Sequence, residues 1–352
     1  RVAALEERVR ALEQEQPLRN GMLLRWWLPR QPDSPDVLHR LLELGEAFHG
    51  ANQYAVGAAL LQHSLAMAQR LGDWQSAARA LRDLGDALRL QDEGTAAQGY
   101  YQQALDISRS IGDRRGEANA LLGLGDALRL QDEGTAAQGY YQQALDIYRA
   151  IDNRLGEADA LRGLGDALLL QAEGTAAQEY YQQALDMYQS IRYRLGAAHA
   201  LRGLGDALLL QAEVTAAQGY YQQALDMYQS IGDRLGEADA LRGLGEALRL
   251  QDEGTAAQGY YQQALDIYRA IDNRLGAAHA LLGLGEALRL QGDRQRAVER
   301  LEEALAIGRR IQYRAVQFNA LKTLIALAEE AGDHRSAADY RLEYQRLLVE
   351  KR

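Results

Sequence analysis

At 352 residues, with 47% hydrophobic and 25% charged side chains, the chain is long enough to bury a large core and too apolar to be a disordered segment. A formal net charge of -10 argues against nucleic acid or an anionic membrane as partner, since both attract basic patches. The absence of Cys excludes disulfides, thiolate nucleophiles and cysteine-ligated metal centres.

The chain begins at Arg1 rather than Met, as expected of a fragment or processed chain. Residues 1–16 place Val2, Leu5, Val9 and Leu12 at alternating spacings of three and four, the stripe of a coiled coil. Both an amphipathic helix packed on the first repeat and the end of an oligomerising coiled coil fit that stripe, and the second would make a homo-oligomer. Residues 17–35 read as a linker, because all four prolines, Pro17, Pro29, Pro32 and Pro35, lie there. Trp26 and Trp27 are expected to cap the first repeat. Met22 to Leu28 is short and interrupted by Arg25, so it is neither a signal core nor a membrane span, and a soluble cytoplasmic protein is the expectation.

From residue 36 to residue 352 the sequence repeats with a 40-residue period, followed most easily through one dipeptide. Leu44-Gly45, Leu84-Gly85, Leu124-Gly125, Leu164-Gly165, Leu204-Gly205, Leu244-Gly245 and Leu284-Gly285 are each 40 apart, and Leu324-Ile325 continues the series to eight repeats. In the copy at 152–191, Ala158, Leu161, Leu164, Ala167 and Leu168 form one helical stripe. Ala177, Tyr181, Ala184, Leu185 and Tyr188 form a second. Asp152 or Asn153 is expected to cap the first helix. Gly174 is expected as its left-handed end, so that Val214, in the same place 40 residues on, would be strained. Thr175-Ala-Ala-Gln178 has the form of a capping box opening the second helix. No stretch alternates with a strand period, so the fold class is all-α, a solenoid of stacked helix pairs whose last, more charged repeat serves as a cap.

These residues resemble the tetratricopeptide repeat, in which the Leu-Gly of the first helix is followed by a small residue at +12, an aromatic at +16 and Ala at +19. Ala177, Tyr181 and Ala184 hold those places after Gly165, and Ala137, Tyr141 and Ala144 after Gly125. The 40-residue period is similar to that of kinesin light chains and of the Leu-Gly-Asn polarity scaffolds. The resemblance implies a right-handed superhelix, without catalytic activity, that binds an extended peptide along a concave face lined by the first helices.

It also implies which positions face the ligand. One residue after the Gly stand Glu46, Asp86, Asp126, Asp166, Asp206, Glu246 and Glu286. Three before it stand Arg82, Arg162, Arg202 and Arg242, with Leu122 and Leu282 in other copies. Four after it come His49, Arg89, Arg129, Arg249 and Arg289, with Leu169 and Leu209 in the two copies between Arg129 and Arg249. Six before it the residue changes among His39, Arg79, Asn119, Asp159, His199, Asp239 and His279, while the second helix barely changes. An acidic row flanked by Arg and Leu implies a protein or peptide partner with basic and apolar residues. The Leu-Gly-Asn scaffolds carry Asn after the Gly; an ionised Asp only accepts hydrogen bonds and does not clamp a peptide backbone in the same way.

Other chemistry finds no support. His39, His199 and His279 share one repeat position, but stacked helix pairs about 10 Å apart put the last two roughly 20 Å apart, too far for a shared metal. Gly123-Leu-Gly125 lacks the third glycine and the preceding strand of a dinucleotide loop. Tyr100-Tyr101 reads as packing rather than as a stacking platform. No catalytic residue, cofactor or metal is expected. Two alternatives to a scaffold remain: a sensor domain of a larger signalling protein or enzyme whose effector lies upstream of residue 1, and a self-assembling solenoid.

Overall fold

The computed structural model describes residues 28, 31–50, 54–91 and 93–349. Residues 1–16 and the Trp26-Trp27 pair, with the coiled-coil and capping expectations placed on them, lie outside the described residues. The described residues form helices α1 (Pro35–Gly50), α2 (Tyr54–Leu71), α3 (Trp74–Arg89), α4 (Gly94–Ile111), α5 (Arg114–Arg129), α6 (Gly134–Ala150), α7 (Arg154–Leu170), α8 (Gly174–Ser190), α9 (Arg194–Leu210), α10 (Val214–Ile231), α11 (Arg234–Leu250), α12 (Gly254–Ala270), α13 (Arg274–Leu290), α14 (Arg294–Arg310), α15 (Arg314–Glu330) and α16 (His334–Val349). Odd-numbered helices are the first of each repeat and even-numbered ones the second. The chain divides into two compact units, one ending at Glu173 and one beginning at Gly174.

The first helices start where the sequence places them. Asn153 Oδ1 accepts from the Gly156 backbone N–H at 3.0 Å, and Asp113 Oδ1 from that of Gly116 at 2.9 Å, each satisfying an amide that the helix leaves orphaned. The second helices start differently from expectation. Gly174 is not a left-handed cap but the first residue of α8, and the left-handed residue is Ala172, at φ 59°. Its counterparts are Asp132, Ala212 and Asp252. Glycine at the first position has a packing reason: a Cβ on Gly134 would lie 2.9 Å from the Ala167 carbonyl oxygen, and one on Gly174 2.9 Å from that of Ala207. Val214 opens α10 in that same place and needs no positive φ.

The expected capping box is a clamp between repeats instead, because Thr is the second residue of its helix and lies beyond the cap. Thr135 donates to Gln171 Oε1 at 3.2 Å, and Gln171 Nε2 donates to Gln138 Oε1 at 3.2 Å, so both ends of the motif hold the glutamine that closes the next first helix. Thr175 and Gln178 hold Gln211 in the same way in the second unit.

The core repeats as strictly as the sequence. In the first unit, the Tyr141 ring is fully buried between two first helices, and a Cβ on Gly125 or on Gly163 would lie 2.6 Å from it. In the second unit Tyr221 stands in the same relation to Gly205 and Gly243, also at 2.6 Å. The two glycines therefore exist because a tyrosine ring occupies the room of their side chains. Successive first helices touch one another within each unit (α3 with α5, α5 with α7; α9 with α11, α11 with α13), whereas the second helices make no comparable contact. The first helices thus line the inner side of each unit. At the far end α16 buries only Ala337.

Candidate functional site

The seven carboxylates after the Leu-Gly pair lie on first helices, half-buried apart from the exposed Glu46, but they are not a bare acidic wall. In the first unit Tyr101 donates its hydroxyl to Asp86 Oδ1 at 2.7 Å and Tyr141 to Asp126 Oδ1 at 2.6 Å. In the second unit Tyr221 donates to Asp206 Oδ1 at 2.6 Å and Tyr261 to Glu246 Oε2 at 2.7 Å. Each carboxylate thereby holds the core tyrosine of its own repeat in register. Burial, together with the Asp86 carboxylate, pushes the Tyr101 phenol far above its usual range, so it stays a donor at any ordinary pH.

The arginines of the predicted site answer the same carboxylates. Arg89 Nε lies 3.8 Å from both Asp86 Oδ1 and Asp126 Oδ2, bridging two repeats. Arg129 is held in its charged form despite burial by the fields of Asp166 and Asp126. Arg82 reaches Asp86 at 4.0 Å and the buried Asp83 at 2.5 Å, and Arg162 reaches Asp166 at 3.0 Å. In the second unit the pairs are Arg202–Asp206 at 3.3 Å, Arg249–Glu246 at 2.5 Å and Arg289–Glu286 at 3.1 Å. Burial works against the charge of Glu246, yet hydrogen bonds from Arg249 and Tyr261 hold its carboxyl below the usual range. Arg242 stays charged against its own burial in the field of the Asp239 and Asp206 carboxylates. Glu46, the most exposed of the row, pairs with Arg79 at 2.9 Å. The inner face is therefore a mosaic of paired charges interrupted by half-buried leucines such as Leu122, Leu169, Leu209 and Leu282.

The variable position six before the Gly has a partner that spacing alone does not reveal. Tyr148 donates to Asn119 Oδ1 at 2.7 Å, Tyr228 shares a 2.7 Å hydrogen bond with His199 Nδ1, and Tyr268 donates to Asp239 Oδ1 at 2.5 Å. Each pair joins the two helices of one repeat. A signal was present in the copies: Tyr148, Tyr188, Tyr228 and Tyr268 accompany Asn119, Asp159, His199 and Asp239, whereas Ser108 accompanies Arg79. His279, whose repeat carries Gly308 there, instead packs edge-on to Tyr313 with ring centroids 6.0 Å apart.

A cavity opens among these residues in each unit. In the second, Arg242, Glu246, Arg249, His279, Leu282 and Glu286 line about 390 Å³ between α11, α13 and α15, bringing together side chains from four of the predicted positions. In the first, Arg79, Arg82 and Asn119 are among the residues around about 570 Å³. No described helix is long and apolar enough to cross a membrane.

A family model described as tetratricopeptide repeat matches residues 33–110, 116–190, 157–230 and 236–310. Among curated proteins none matches the sequence. Of solved structures, the Rap conjugation gene regulator of plasmid pLS20, in complex with the Phr peptide, is 16% identical, with 97% of this chain and 92% of that one covered at a TM-score of 0.66. A Rap protein complexed with competence and sporulation factor is 14% identical, with 91% and 100% covered at a TM-score of 0.65. A signal transduction ATPase with a tetratricopeptide-repeat sensor, from Pyrococcus horikoshii, is 16% identical, with 95% of this chain and 53% of that one covered at a TM-score of 0.65. At such identities the likeness concerns the fold. The family match extends over more than half of the chain, and the Leu-Gly, Ala, Tyr and Ala positions carry the packing between its helices: the chain belongs to the tetratricopeptide-repeat family.

Proposed function

We propose that this chain is a non-catalytic interaction module that holds an extended segment of a protein partner against the inner face of its first helices. The observation that carries this reading is the cavity of the second unit, where Arg242, Glu246, Arg249, His279, Leu282 and Glu286, all on the predicted face, surround one space. Its lining offers paired charges of both signs and an apolar contact at Leu282, which suits a segment presenting basic and apolar side chains. The segment's charges would exchange with the ion pairs already present rather than meet a bare acidic surface, so electrostatics set specificity more than affinity.

A regulatory variant of this reading draws on the neighbours of like fold. One is described as a sensor within a signal transduction ATPase, and two Rap structures hold a peptide or a factor. A module of that kind would report partner binding to an effector elsewhere. Self-assembly through residues 1–16 would add avidity to either role.

The test starts from a random peptide library displayed on phage and selected on the immobilised protein, with enriched sequences remade and measured by fluorescence anisotropy. Glu246→Gln with Glu286→Gln is the informative variant, because the amide keeps an acceptor for Tyr261 and Thr323 while removing the charge. It should weaken binding about tenfold, the loss of roughly one charge-assisted hydrogen bond, while Asp266→Asn on the second helix α12 should leave it unchanged. Enriched peptides that bind the double variant as tightly as the parent would overturn the assignment.

A further inference from the structure

The turn that joins α8 to α9 breaks a rule that its siblings keep. Helices α5, α7, α11 and α13 each follow an Asp113, Asn153, Asp233 or Asn273 whose side chain accepts a backbone N–H of the first turn. In that place before α9 stands Tyr193, which caps nothing. Before it, Arg192 takes the left-handed conformation at φ 59°, where the siblings have Gly112, Asp152, Gly232 and Asp272. Glu157 and Glu237, which pair with Arg149 and Arg234 at the sibling turns, have Ala197 as their counterpart. Residues 189–197 thus hold two arginines and no carboxylate. A helix cap and a relaxed left-handed residue are both given up, so local stability does not account for Arg192-Tyr193-Arg194.

An exposed aromatic ring between two cations results. Tyr193 is 41% exposed, and packing fixes its place: its ring lies 5.7 Å from that of Tyr188, and a Cβ on Gly196 would come within 2.7 Å of it. Arg194 donates to the Ser230 hydroxyl at 2.6 Å, and neither it nor Arg192 pairs with a carboxylate among the described residues. The acidic residues of the next turn are engaged, Asp233 as the cap of α11 and Glu237 with Arg234 at 2.5 Å. Tyr313, the other tyrosine at this place in the repeat, follows Gln312 and packs against His279.

The complement lies at the other end of the helix pairs. Helices that pack against their neighbours across short turns run antiparallel, so the turns within repeats lie about 25 Å from the turns between them. In the second unit Leu250, 47% exposed, is followed by the exposed residues Asp252 and Glu253. Glu253 accepts no hydrogen bond at the start of α12, and neither carboxylate pairs with a described residue. Asp132 and Glu133 repeat the arrangement beside Leu130 in the first unit. Each such turn sets two unpaired negative charges beside a leucine, matching the two unpaired positive charges beside Tyr193.

We propose that copies of this chain associate edge to edge, the Arg192-Tyr193-Arg194 turn of one copy seated on a Leu-Gln-Asp-Glu turn of another, at 250–253 or 130–133. The arginines face the carboxylates and the tyrosine covers the leucine. Charge complementarity selects this occupant: the basic turn needs carboxylates that are still unpaired, and every copy displays them next to an apolar contact, on the edge away from its own basic turn. Because the two surfaces differ, the contact is heterologous and further copies can add. The cavities of the inner face take no part.

Sedimentation velocity of the full chain tests it. The average mass should rise with concentration and fall back to that of one chain as salt goes from about 50 to about 500 mM. Arg192→Asp with Tyr193→Asn restores the pair found at 152–153 and 272–273, and should weaken association about tenfold or more. Asp132→Ala and Asp252→Ala, which bring in the alanine of 172 and 212, combined with Glu133→Gln and Glu253→Gln, should do the same from the other side. Mixed in equal amounts, the two variants should associate more tightly than either alone, since each keeps the edge that the other lacks. Circular dichroism reports folding, and should the fourfold variant fail to fold, Glu133→Gln with Glu253→Gln takes its place. The proposal is overturned if the parent stays monomeric up to about 0.5 mM. It is equally overturned if either variant associates as the parent does, as both would through residues 1–16, or if mixing them restores nothing.

Discussion

The hydrogen bond from Tyr141 to Asp126 can be removed with little else disturbed, by Tyr141→Phe. The ring is fully buried against Gly125 and Gly163, and phenylalanine keeps those contacts. What is lost is a 2.6 Å donation to a carboxylate, a class of bond with a net worth of about 1.5–3 kcal/mol. The stranded acceptor sets where in that range the cost falls. Asp126 keeps 18% of its side chain exposed and has Arg89 at 3.8 Å, so water and the guanidinium take up the vacated lone pair. The lower end applies, about 1.5 kcal/mol. Tyr221→Phe is the matching change in the second unit, where Asp206 has 32% of its side chain exposed and Arg202 at 3.3 Å. The two sites share no partner, so the double variant should lose about 3 kcal/mol. Urea unfolding followed by circular dichroism measures the total, and hydrogen exchange locates the loss, since repeat arrays do not always unfold in one step. A change below about 0.5 kcal/mol in both single variants would refute the claim that these carboxylates anchor the core tyrosines.

Three further outcomes rest on the geometry. Ala212→Gly, at φ 61°, should raise stability by about 0.5–1 kcal/mol in urea unfolding, because a left-handed Ala is strained by more than the entropy that Gly loses; destabilisation would contradict that turn. Gly123→Ala puts a Cβ 2.4 Å from the Tyr101 ring and should cost about 1–3 kcal/mol in the same assay, whereas Gly139→Ala, with nothing within 4 Å, should be neutral or stabilising. Burial and then Arg242 depress the His279 imidazole from 6.5 to about 4. The unfolded chain therefore takes up this proton before the folded one does. The contribution of His279 is complete above pH 6.5 and is lost as pH falls through about 4, up to about 3 kcal/mol, and His279→Leu should flatten that part of the stability profile.

The period, the helix pairs, the buried stripes and the asparagine and aspartate caps were legible in the sequence, because each depends on spacing within one repeat. The start of the second helix was not. Glycine reads first as a left-handed residue, but at Gly134 and Gly174 the deciding fact is a carbonyl oxygen from another helix, which spacing does not show. The inner-face positions were legible as places and not as roles. A carboxylate on a predicted groove looks free until the tyrosine 15 residues later is seen to reach it, as Tyr141 reaches Asp126. The variation at Asn119, His199 and Asp239 reads as ligand specificity when each residue is taken alone, but as internal pairing once it is compared with Tyr148, Tyr228 and Tyr268.

The glutamine clamp fixes how the molecule can change length. Thr95 meets Gln131 as Thr135 meets Gln171, and residues 85–107 are identical to 125–147, so these two junctions offer the same ends. Excising residues 126–165 would join Gly125 to Asp166 and bring Thr95 to Gln171, recreating a seam that already exists. A chain shortened in this way should keep its helical content per residue by circular dichroism, whereas a cut of any length that is not a whole period would leave one glutamine facing the wrong helix. Recombination between copies that share these ends would thus be invisible to the fold, and the number of central repeats could drift while the architecture stays fixed.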